Sequence, residues 1–133
     1  MPEAPVPVTR EKTILIVDDD RSMGELLKQT ITQNTNHRAV WIAESDLVLE
    51  TARRLHPSVI LLDYIMPFMD GLQLYDHLQR VETMRNVPVI LVSGSPTLPF
   101  KKLRERGIHV LRKPFEVNDL LDMIAQLMAA DSG

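Results

Sequence analysis

The chain contains no cysteine, which excludes disulfides, thiolate metal sites and a cysteine nucleophile in one step. It has no apolar run of membrane-spanning length, and its amino terminus, MPEAPVPVTREK, has no apolar signal core. The sequence therefore predicts a soluble, cytoplasmic protein with no membrane partner. Aromatic residues make up 5% of the chain and never interleave with a basic stripe. With a net charge of -3, this argues against direct nucleic-acid binding. The basic cluster Lys101, Lys102, Arg104 and Arg106 reads as the solvated face of a short helix. His37, His56, His77 and His109 lack metal-ligand spacing and read as surface or loop residues. Trp41 reads as strand packing. There is no internal repeat and no low-complexity block beyond the amino-terminal tail.

What is present describes one domain. At 133 residues, 44% hydrophobic and 25% charged, the chain can bury a core of ordinary size. Pro2, Pro5 and Pro7 predict an extended, poorly ordered tail over residues 1–11, followed by a domain over 12–130 and a frayed end at 131–133. Strands are expected near 13–18, 38–43, 58–63, 87–92 and 108–111. The first, third and fourth are almost continuously apolar, as strands covered on both faces should be. Helical spacing links Met23, Leu26, Leu27, Thr30 and Ile31; Val48, Ala52 and Leu55; Leu74, Leu78 and Val81; and Val117, Leu120, Leu121, Ile124, Leu127 and Met128. Strands alternating with helices imply parallel pairing through crossovers. The fold class is α/β, a five-stranded doubly wound parallel sheet.

Chemistry gathers at one edge of that sheet. Ile14 to Val17 run into Asp18, Asp19 and Asp20, and Val59 to Leu62 run into Asp63. Ligands of open parallel sheets bind at the carboxyl ends of the strands. Carboxylates crowded there do not stay ionised together without a cation, and a hard divalent ion with oxygen ligands, Mg²⁺, is the natural choice. The fourth strand adds Ser93, followed by Gly94, and the fifth leads into Lys113 and Pro114. Taken singly, these pieces read as solvated strand ends, turns and caps. Asp70-Gly71, for example, is an ordinary turn and helix entry, and Asp20 suits a helix cap.

In this order, each at a strand end, they resemble the receiver domain of two-component response regulators over residues 13–129. The resemblance implies a flavodoxin-like strand order 2-1-3-4-5 with five flanking helices. It implies that Asp63 accepts a phosphoryl group from a sensor histidine kinase or phosphotransfer protein. Asp18 and Asp19 would hold Mg²⁺, Asp19 directly and Asp18 through water, with Asp63 and the backbone carbonyl of Ile65 as further ligands. Ser93 and Lys113 would bind phosphoryl oxygens, and the Lys113-Pro114 bond would be cis. Such a module is no turnover enzyme on a free substrate, since it promotes only its own phosphorylation and dephosphorylation. Its output would be a downstream protein target, or a phosphorylation-dependent homodimer.

This sequence departs from that pattern at named positions. Val110 stands where receivers usually carry a switching aromatic. Ile65 replaces a more commonly polar residue, which implies slow hydrolysis. Pro96 and Pro99 delay the fourth helix and Gly107 ends it, leaving about two turns. Switching would then fall to Ser93 and to the loop after it, where Gly94 supplies backbone freedom. Val110 and the short helix favour an alternative, a pseudo-receiver that binds partners with little phosphotransfer; the retained Asp18, Asp19, Asp63, Ser93 and Lys113 oppose it. A haloacid-dehalogenase-like phosphatase ranks last, because it wants an aspartate where Ile65 stands.

Overall fold

The computed structural model describes residues 12–131. The tail expected over 1–11 lies outside the described residues. Strands and helices alternate as β1 (Thr13–Val17), α1 (Arg21–Asn34), β2 (Arg38–Ile42), α2 (Val48–Leu55), β3 (Val59–Asp63), α3 (Gly71–Gln79), β4 (Val89–Ser93), α4 (Phe100–Glu105), β5 (His109–Arg112) and α5 (Val117–Asp131). Single 3₁₀ turns at Ser45–Leu47 and Glu82–Met84 precede α2 and β4. The strands form one parallel sheet in the order β2-β1-β3-β4-β5, as expected.

Alternation along each strand divides the core into two layers. Ile14, Ile16, Leu61, Ile90 and Val92 pack with Leu27 and Ile31 of α1 and with Leu120 and Ile124 of α5. Their neighbours Leu15, Val17, Ile60, Leu62 and Leu91 face the other way, onto Val48 and Ala52 of α2, Leu74 and Leu78 of α3, and Leu103 of α4. Every residue of β3 and β4 is buried, which is why those strands are apolar throughout.

Local signals set the helix ends. The Asp20 carboxylate accepts hydrogen bonds from the Ser22 and Met23 amides at 2.9 and 3.3 Å and caps α1. Asp70 and Gln73 form a reciprocal capping box on α3. The six residues of α4 begin after Pro99, and Gly107 follows the helix with φ +69°, a conformation that favours glycine.

Several expectations are corrected. Strand ends shift by one or two residues; β4, for example, starts at Val89, after Pro88, whose missing N–H cannot join a ladder. Leu26 and Val117 lie on the solvent side, 52% and 45% exposed. The buried stripe of α1 is Gly24, Leu27 and Ile31, and Leu26 is turned about 100° away from it. Val117 opens α5 at the lip of the sheet, one turn before buried Leu120. Val81 is buried but lies beyond α3, under the second 3₁₀ turn. Arg106 is no free surface cation: its guanidinium grips Asp76 at 2.8 and 3.3 Å. His37 is half-buried in its loop, and burial lowers its pKa.

Candidate functional site

Parallel pairing brings the carboxyl ends of β1, β3, β4 and β5 to one edge. Asp63 and Ser93 are the last residues of β3 and β4, Asp18 follows β1, and Lys113 follows β5. Carboxylate oxygens of Asp18, Asp19 and Asp63 lie within 4.8 Å of one another. The Lys113 ammonium stands 3.6 Å from Asp63 Oδ1. The Lys113 N–H donates to the Ser93 carbonyl at 2.8 Å, rooting the lysine beside the buried serine. Ser93 Oγ accepts the Ser95 N–H at 3.0 Å. The Lys113-Pro114 bond is cis.

Asp18 is held on three sides. Its N–H donates to the Ile42 carbonyl at 3.1 Å, its carbonyl accepts the Trp41 indole N–H at 2.8 Å, and its Oδ1 accepts the Asp20 N–H at 2.9 Å. Oδ2 is buried and has no hydrogen-bond partner among the described residues. Asp19, by contrast, is exposed.

The crowding shows in the electrostatics. Burial, reinforced by the Asp18 charge, pushes the Asp63 carboxyl up to about 6, while Lys113 pulls it back. Burial also raises Asp18, opposed by the Asp20 amide and by Lys113. A single ammonium is set against three carboxylates, so the edge has a surplus of negative charge and one orphaned buried oxygen. All-oxygen donors with such a surplus fit a hard divalent cation.

Ile65 lies in the loop after β3, with its side chain 65% exposed. Val110 is half-buried in β5, against the layer beneath α2, α3 and α4. Gly94 does not adopt a left-handed φ, and a Cβ there would make only ordinary contacts with Lys113. Its expected special freedom is not used in this conformation.

Three features escaped the sequence reading. Gly71, read as an ordinary turn, is where α3 meets the site: its N–H donates to the Tyr64 carbonyl at 2.7 Å, and a Cβ there would stand 2.7 Å from the Asp63 carbonyl oxygen. Phe68 is fully exposed with φ 71°, beside a cavity of about 510 Å³ lined by Ala43, Glu44, Met66, Pro67 and Met69. Trp41 reaches from β2 to the Asp18 carbonyl over Gly24. A glycine inside the helical pattern of α1 was the available signal, since glycine there is otherwise disfavoured.

Sheet and edge together define the class: a doubly wound α/β module with an acidic, lysine-bearing site at its carboxyl edge. The chain belongs to the response regulator receiver domain family, whose model matches residues 14–125. These are the receivers of two-component systems, signalling modules. The chain is 32% identical over 114 residues to protein-glutamate methylesterase/protein-glutamine glutaminase 1 of Albidiferax ferrireducens, covering 85% of this chain and 27% of that protein. It is 30% identical over 115 residues to the response regulator protein FleR of Pseudomonas aeruginosa, covering 85% and 24%. The chain thus spans about a quarter of the length of these relatives. The solved receiver domain of Francisella response regulator 1452 superposes with a TM-score of 0.80 at 24% identity, covering 91% of this chain and 99% of that one. Among the described residues, no helix is long and apolar enough to cross a membrane.

Proposed function

We propose that the chain accepts a phosphoryl group on Asp63 from a phosphohistidine of a sensor kinase or phosphotransfer protein, and thereby switches the binding of a downstream protein in the cytoplasm. The observation that carries this reading is the pairing of Asp63 with Lys113 at 3.6 Å beside the Asp18 and Asp19 carboxylates. An Asp63 carboxylate oxygen attacks phosphorus as the nitrogen–phosphorus bond breaks, and the bonding pair leaves with the imidazole. No general base is needed, because with a pKa of about 6 Asp63 is mostly ionised at neutral pH.

Asp18, Asp19, Asp63 and the Ile65 backbone carbonyl would hold Mg²⁺. When bound, the ion supplies positive charge to the equatorial phosphoryl oxygens. Lys113 holds the Asp63 carboxylate before transfer and a phosphoryl oxygen after it, a task suited to a compact ammonium on a long stem. Ser93 donates its hydroxyl to another phosphoryl oxygen. Its oxygen still accepts the Ser95 N–H, so a movement of the hydroxyl toward the phosphoryl group would be carried to the loop before α4.

Intact mass after incubation with a small phosphodonor tests the reading. One phosphoryl group should be added with Mg²⁺ present, and none to Asp63→Asn. Unchanged uptake by Asp63→Asn would sink the assignment. Absence of uptake by the unmodified protein would favour the pseudo-receiver reading, which Val110 at the aromatic position supports.

A further inference from the structure

Trp41 belongs to β2, a strand that contributes no carboxylate, hydroxyl or ammonium to the site. Its indole N–H nevertheless donates a 2.8 Å hydrogen bond to the backbone carbonyl of Asp18, 23 residues away. The ring lies against the first turns of α1, where a Cβ on Gly24 would overlap Nε1 and Cε2. Only glycine admits the indole there. Glycine in a helix interior costs about 1 kcal/mol relative to alanine, so packing alone could have been achieved more cheaply with a smaller ring over an alanine.

The consequence falls on Asp18. With its N–H on Ile42, its carbonyl under Trp41 and its Oδ1 on Asp20, the residue has little freedom left, and Oδ2 is its one oxygen without a partner among the described residues. The indole supplies the only one of these three restraints that comes from a side chain. Groups that orient a ligand in this way tune a metal site without touching the metal.

We infer that Trp41 is a positioning residue for the acidic edge: its N–H locks the Asp18 backbone so that the Asp18 carboxylate stays beside those of Asp19 and Asp63, ready for a divalent cation. This rests on the Mg²⁺-binding reading above. It also makes Trp41, the chain's single tryptophan, a built-in reporter, because a cation that draws on Asp18 perturbs the carbonyl to which the indole is bonded.

The test is a Mg²⁺ titration of the full chain, read by Trp41 emission and by the amide resonances of Asp19 and Asp20. In the unmodified protein both signals should saturate with one midpoint. In Trp41→Phe, which keeps a ring over Gly24 and removes the donor, the amide midpoint should move to about tenfold higher Mg²⁺. The thermal midpoint without metal should fall by only a few degrees. Equal Mg²⁺ midpoints in the two proteins would overturn the positioning role and leave the metal reading intact. Absence of any amide response in the unmodified protein would overturn the metal reading itself. Should Trp41→Phe not fold, the unmodified protein still decides: emission that stays constant while the amides saturate contradicts the inference.

Discussion

Asp63 sits where its own charge is disfavoured. Its folded pKa of about 6 lies above the ordinary 3.8, so the folded state holds the proton more tightly than the unfolded state does. Its contribution to stability is therefore fully present below about pH 4 and lost as pH rises through about 6. At neutral pH without divalent cations, Asp63→Asn should stabilise the fold by about 1 to 3 kcal/mol. Urea unfolding between about pH 4 and pH 7 should show a shallower decline for the variant, and parallel curves would contradict the electrostatic account. Mg²⁺ should raise the thermal midpoint of the unmodified protein and do less for Asp63→Asn. That Asp18, Asp19, Asp63, Ser93 and Lys113 gather at one sheet edge could be read from the sequence, because each is a polar residue ending or following a strand. The Trp41 bond could not, because its partner is 23 residues away and meets it only when β2 lies beside β1.

Among the elements, α3 begins almost on top of the phosphoacceptor candidate. A Cβ at Gly71 would stand 2.7 Å from the Asp63 carbonyl oxygen, 2.8 Å from Leu91 Cδ1 and 3.1 Å from Tyr64 Cα, and two of those atoms are backbone. Gly71→Ala should therefore destabilise by about 1 to 3 kcal/mol. A neutral or stabilising result, as glycine-to-alanine changes in helices ordinarily give, would show that α3 is free to move away from the site. The short α4 was legible from Pro99 and Gly107, but its anchorage was not. Arg106 grips Asp76, and the Tyr75 hydroxyl donates to the Arg106 carbonyl at 3.0 Å, pinning the far end of α4 to α3. With that end held and no aromatic at Val110, movement should concentrate in residues 94–98, which follow Ser93. Amide exchange with and without a beryllofluoride phosphoryl mimic should change most at Ser95 and its neighbours. Large changes at Val110 with none in 94–98 would refute this route.

For the molecule as a whole, the sheet order could be read from the sequence because apolar strands alternating with amphipathic helices leave few ways to cover both faces. Less legible was which helical residues stop short of the core. Leu26 and Val117 satisfy a loose helical spacing, yet solvent reaches both, because the width of a buried stripe depends on how closely each helix approaches the sheet. The molecule that results collects acids, a hydroxyl and an ammonium at one edge. The proposed function requires an acyl phosphate on Asp63. Borohydride reduction after treatment with a phosphodonor, followed by peptide mapping, detects that linkage. Residue 63 should be reduced to homoserine, only in phosphodonor-treated protein and only with Mg²⁺ present. A phosphoryl group retained on a hydroxyl or imidazole after reduction, with Asp63 intact, would contradict it.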